Sequence, residues 1–107
     1  MKQQLFRLQR LSALVLAPLV IIHLALILYA VGDGLSAEEI LNRTRGNLAW
    51  AAFYTVFVLA AAIHAPIGVR NILREWTSLP ARATDVVCIV LALTLLLTGM
   101  RAVAAVY

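Results

Sequence analysis

Charge is scarce in this sequence. Of 107 residues, 13% are Asp, Glu, Lys or Arg, against about 25% in ordinary soluble domains. That shortage excludes a solvated surface over most of the chain. Cysteine is nearly missing too: Cys88 stands alone, so neither a disulfide framework nor a thiolate metal cluster can be built. Gly and Pro number 5 and 3, and no stretch of them is long enough to serve as a flexible linker between domains.

Apolar residues are what the chain has, at 64% and a mean hydropathy of +0.95. They fall into three runs: Leu11 to Val31, Leu48 to about Arg70, and Val86 to Val106. Each is about 20 residues long, enough to cross a ~30 Å hydrocarbon core. The fold expected is all-α and integral to the membrane. A single transmembrane domain fills residues 1–107, with helices near 11–31, 48–73 and 85–106. The first run is too long for the apolar core of a signal peptide, so it is expected to be retained.

The net charge of +4 is no nucleic-acid signal once its carriers are placed. Lys2, Arg7 and Arg10 precede the first span, and Arg70, Arg74 and Arg82 lie between the second and third. Those two regions share one side of the membrane. The opposite side has Arg43, Arg45 and Arg101, diluted by Asp33, Glu38 and Glu39. The positive-inside rule puts the N-terminus in the cytoplasm and the C-terminus outside.

Residues 1–10, MKQQLFRLQR, read as an amphipathic lead-in lying in the lipid interface or as a plain basic flank. Pro18 removes one backbone hydrogen bond from the first helix and is expected to bend it. Ser12, Leu19, His23 and Ala30 share a face of that helix. Between the first two spans, Gly32-Asp33-Gly34 signals a turn. Ser36 with Glu39 three residues on has the form of a capping box opening a short surface helix. Thr84 or Asp85 is the expected N-cap of the third span.

The stretch Ala60–Trp76, AAAIHAPIGVRNILREW, carries the chemistry. An imidazole in a membrane span is costly and is kept by a metal, a proton path or a polar partner. His64, Gly68, Asn71 and Glu75 fall at i, i+4, i+7 and i+11, one face of a helix. Gly68 there leaves room for a flat group that His64 could ligate, which makes haem the candidate. His23 is either a second haem ligand or a packing histidine. Counted from the inner edge of each span, His23 lies about 18 Å deep and His64 about 9 Å deep. The two are poor partners for one iron, so a ligand opposite His64 should come from another subunit. No Cys-x-x-Cys-His is present, and such a haem would be held without thioether bonds. Arg10, Ser12, Glu75 and Trp76, at the cytoplasmic edge, could bind a quinone through a guanidinium, a hydroxyl, a carboxylate and an indole N–H. An ordinary interfacial ring of such residues is the plainer reading of the same spacing.

These residues resemble the cytochrome b membrane-anchor subunits of succinate dehydrogenase and fumarate reductase, the small three-helix type, over nearly the whole chain. That family has a haem-ligating His, then Gly four on, often Arg six on, an acid eleven on and in some members Tyr twelve on. Here those places hold His64, Gly68, Arg70, Glu75 and Trp76. The family's first helix often opens Arg-x-Ser, matched by Arg10-Leu11-Ser12, and that Arg and a nearby Ser line its ubiquinone site. Glu75 replaces the usual aspartate, Trp76 the tyrosine, and Phe6 a second serine; His23 is similar to a first-helix ligand of the dihaem members. The resemblance implies haem b on His64, with Gly68 and Arg70 beside it and His23 as ligand to a second haem iron. It implies ubiquinone or menaquinone at Arg10, Ser12, Glu75 and Trp76. It also implies a second membrane-anchor subunit, an iron–sulfur subunit and a flavoprotein subunit as partners in respiratory complex II, in the cell inner membrane. Electrons would pass between the iron–sulfur subunit and quinone, with no succinate chemistry on this chain. The rival class is a non-redox membrane protein, a small transporter or assembly subunit, in which His23, His64 and Glu75 form a proton or polar network.

Overall fold

From Lys2 to Asp33 good helix formers dominate, with proline only at Pro18 and glycine only at Gly32 beside the end, and in the computed structural model they form one helix, α1, of 32 residues. The structure describes residues 2–107; Met1 and the side chain of Lys2 lie outside the described residues. The described part of the expected lead-in, residues 2–10, is therefore continuous with the first span and not a separate element. Gln3, Gln4 and Gln9 are polar yet helix-favouring, so nothing stops the helix at Arg10. Pro18 lies inside α1, which continues through it.

α1 ends at Asp33, and Gly34 turns the chain with a φ of +137°, a conformation open to glycine. A short helix, α2 (Ala37–Thr44), follows. The expected capping box is present: the Glu39 N–H donates to Ser36 Oγ at 3.1 Å, and Ser36 Oγ donates to the Glu39 carboxylate at 2.7 Å. Arg43 ties this loop back, pairing with Asp33 at 2.6 Å and donating to the Gly34 carbonyl at 2.8 Å.

The two remaining long helices are α3 (Leu48–Trp76) and α4 (Ala81–Val106). Asn47 caps α3, its side chain accepting from the Ala49 and Trp50 N–H groups. α4 starts earlier than expected. Pro80 occupies the N-cap position, where its fixed φ and missing N–H cost nothing. Thr84 and Asp85 are thereby inside the helix: Thr84 is fully buried, its hydroxyl on the Ala81 carbonyl, and Asp85 turns sideways to Arg70.

α3 is the centre of the bundle, with α1 and α4 both packed on it. The pairs that meet fix the direction of each helix. Ser12 meets His64 while His23 meets Tyr54, so α1 and α3 run antiparallel. Arg70 meets Asp85 and Gly99 meets Val58, so α3 and α4 do too. A Cβ on Gly99 would lie 2.5 Å from the Val58 side chain, so glycine lets these two helices approach closely. The molecule is 48 Å long, comparable to a bilayer with its headgroups. Arg7, Arg10, Arg70, Arg74 and Arg82 gather at the end formed by the start of α1, the end of α3 and the start of α4.

Three helices are long and apolar enough to cross a membrane, and the chain is a multi-pass membrane protein. Leu14, Ile21 and Leu28 line one outward stripe of α1, each more than half exposed. Such surface needs lipid or other subunits against it.

Candidate functional site at the basic end

His64 sits in α3, half-buried, against the α1 face that carries Gln9 and Ser12. Its Nδ1 is 3.4 Å from Ser12 Oγ, and that hydroxyl donates to the Gln9 carbonyl at 3.0 Å. Ser12 is 5% exposed. One turn along α3, a Cβ placed on Gly68 would meet Gln9 Nε2 at 3.4 Å. The room beside Gly68 is thus shared with the Gln9 amide, whose Oε1 is buried without a hydrogen-bond partner. Pro66, two residues after His64, offers no N–H to the Ala62 carbonyl and is itself buried.

Arg70 is 8% exposed and donates from Nε to Asp85 Oδ1 at 2.7 Å. That pair locks the basic end of α3 to α4. Beside Arg70, a cleft of about 450 Å³ opens between Leu5, Phe6 and Gln9 of α1 and Asn71, Arg74 and Glu75 of α3. Of the four residues expected at a quinone, Glu75 lines this cleft. Arg10 and Trp76 are exposed at the same end and do not line it. Ser12 is turned to His64.

His23 lies eleven residues beyond Ser12 on the same face of α1, roughly 16 Å further along the axis. Its ring packs edge-on to Tyr54 at 5.8 Å and tilted to Phe57 at 5.2 Å. Its Nδ1 is buried with no hydrogen-bond partner. The separation of the two histidines exceeds the 9 Å read from the sequence, because His64 pairs with Ser12 at the start of the first apolar run, so the inner edges of the two runs, Leu11 and Arg70, are not level. The expectation that they cannot face one iron within this chain stands. Nor are His23, His64 and Glu75 linked as a network: Ser12 touches the second, aromatic rings the first, and the third faces the cleft.

Gln9, Arg74 and Asp85 belong to this region and were not expected at the site: Arg74 is read from the sequence only as a topology charge and Asp85 only as a helix cap. Gln9 had a signal, since the stripe through Ser12 and His23, extended back by three residues, falls on it. Asp85 had none, because its partner is on another helix.

The residues suit a haem. An imidazole with Nδ1 already in contact with a hydroxyl leaves the other nitrogen for iron. A side-chain-free position follows one turn on, and Arg70, held through Nε alone, keeps its terminal nitrogens for a carboxylate. Among the described residues no three His, Cys, Asp or Glu side chains converge, so a bare metal ion would find no such cage.

A family model described as succinate dehydrogenase/fumarate reductase transmembrane subunit matches residues 2–99. The chain belongs to this family. Membership gives it a place in a complex with the other subunits of such an enzyme, as their membrane-spanning part. No curated protein and no solved structure matches it.

Proposed function

We propose that this chain is the membrane-anchor, haem b-binding subunit of a succinate:quinone oxidoreductase, working as a succinate dehydrogenase or a fumarate reductase. Its partners are a second membrane-anchor subunit, an iron–sulfur subunit and a flavoprotein subunit. The observation that carries this reading is the His64 level: a half-buried membrane imidazole, its Nδ1 against Ser12, one turn from Gly68 and beside a polar cleft at the basic end.

His64 is the iron ligand, with Gly68 and Arg70 next to it, and the opposite ligand comes from the second anchor subunit. A haem held there would supply a one-electron redox centre close to the cleft. The chain's own residues do the positioning. Helix packing excludes water, Ser12 fixes the imidazole, and Asp85 fixes Arg70. A second haem, as in dihaem members of the family, would take His23 through Nε2, because its Nδ1 is enclosed.

Ubiquinone or menaquinone docks at the basic end. Glu75 offers a carboxylate in the cleft and Arg74 a guanidinium; Arg10 and Trp76 meet the headgroup where partner subunits close over the exposed end. By the positive-inside rule this end is cytoplasmic, in the cell inner membrane, where the iron–sulfur subunit docks.

Deleting the chain separates the two halves of this role. Succinate-dependent reduction of an artificial dye is expected to persist in the soluble fraction. Succinate–quinone reductase activity of membranes is expected to vanish. Full quinone reductase activity in the deletion strain's membranes would overturn the assignment.

A further inference from the structure

The hydroxyl of Ser12 has one proton and two neighbours. The Gln9 carbonyl lies 3.0 Å away, three residues back on the same helix, and His64 Nδ1 lies 3.4 Å away on α3. A carbonyl oxygen can only accept, so if the proton went to Nδ1, two oxygens would face each other at 3.0 Å with nothing between them. The shorter contact therefore takes the hydroxyl proton, as in helical back-bonding of serine. The contact to the ring must then be supplied by the ring. With Ser12 5% exposed, little solvent competes for either position.

We infer that Ser12 is a positioning residue that holds His64 in the tautomer with the proton on Nδ1, so that Nε2 presents its lone pair for ligation. This rests on the haem reading above and adds the reason His64 is ready to bind before any haem arrives. It also takes Ser12 out of direct contact with quinone. Oriented ring N–H groups raise the basicity of a histidine ligand, and removal of such partners typically weakens metal binding about 10- to 100-fold.

The test compares wild type, Ser12→Ala and Ser12→Thr in the assembled complex, reading haem retention and the haem midpoint potential. Ser12→Thr keeps the hydroxyl and is expected to match wild type. Ser12→Ala is expected to retain haem roughly 10- to 100-fold more weakly and to shift the potential upward. A tenfold loss confined to the ferric state reads as a rise of about 59 mV. Unchanged retention and potential in Ser12→Ala overturn the inference, and so does equal loss in both variants, which would assign the effect to packing. A second measurement needs no haem and no Ser12 variant: ring 15N spectra of the histidine-labelled full chain, with His64→Gln identifying the signal. A proton on Nδ1 is expected, and a proton on Nε2 overturns the inference. A wild-type complex without b-type haem would instead sink the haem reading, leaving the ring measurement to decide the tautomer.

Discussion

The His64 and His23 levels use the same residue on facing helices and surround it with different chemistry. At His64 the ring nitrogen meets a hydroxyl, a glutamine amide lies one turn away, and the Arg70–Asp85 pair clamps the neighbouring helix. At His23 the neighbours are Tyr54 and Phe57, and the buried nitrogen has no partner. A hydrogen bond fixes a ring's tautomer and rotation, whereas aromatic contacts fix its place and leave the proton unassigned. The difference teaches that burial of a histidine in a membrane span does not by itself prepare a ligand. Preparation requires the second nitrogen to be spoken for, and this chain does that at His64 alone.

The largest expected effect lies in the clamp at the His64 level. Asp85→Asn leaves the nearly buried Arg70 guanidinium without its counter-charge. Because Asp85 is 45% exposed, the full penalty of a buried broken pair is not expected; about 2 kcal/mol of stability is. Thermal unfolding in detergent reads it, and Arg70→Leu with Asp85→Leu should recover much of the loss. If Asp85→Asn were silent, the claim that polar contacts build this level would fail.

A smaller effect of opposite sign is expected at the other level. His23→Leu removes an unpartnered buried nitrogen, worth about 1–3 kcal/mol, and gives up ring contacts worth about 0.5–1.5 kcal/mol. The melting temperature should stay level or rise slightly. A clear fall would show that Nε2 of His23 has a partner supplied by lipid-side or subunit contacts, which would bring the two levels closer in kind.

Gly68 gives the smallest effect. Its added Cβ meets Gln9 Nε2 at ordinary contact distance, 3.4 Å, so Gly68→Ala should be neutral or gain up to about 1 kcal/mol from helix propensity. Gly68→Leu must push Gln9 aside and fill the space next to His64. Haem content should fall in the leucine variant and hold in the alanine one; equal content in both would remove Gly68 from the site.

Much of this was legible in the sequence, for physical reasons that also mark where reading stops. Long apolar runs identify spans because lipid permits few alternatives, and a histidine in such a run is conspicuous. Ser36 with Glu39 disclosed its cap because both partners lie within one turn. The first ten residues misled, since polarity there marks the edge of the hydrocarbon and not the end of a helix. The start of α4 misled for a related reason: Asp85 looks like a cap until its partner Arg70, fifteen residues earlier on another helix, is seen. The rotation of α1 about its own axis, which decides that Ser12 and Gln9 face His64, is set by packing against α3 and is not written in either helix alone.

The most direct test of the central claim is the reduced-minus-oxidised visible spectrum of the purified complex, with haem quantified per chain, for wild type, His64→Ala and His23→Ala. Loss of the b-type absorbance held by this chain is expected in His64→Ala. In His23→Ala the His64 haem should remain, and a partial loss there would count a second haem at the deeper level. Undiminished b-type absorbance in His64→Ala would contradict the account, because the level prepared for ligation would then not be the one that binds.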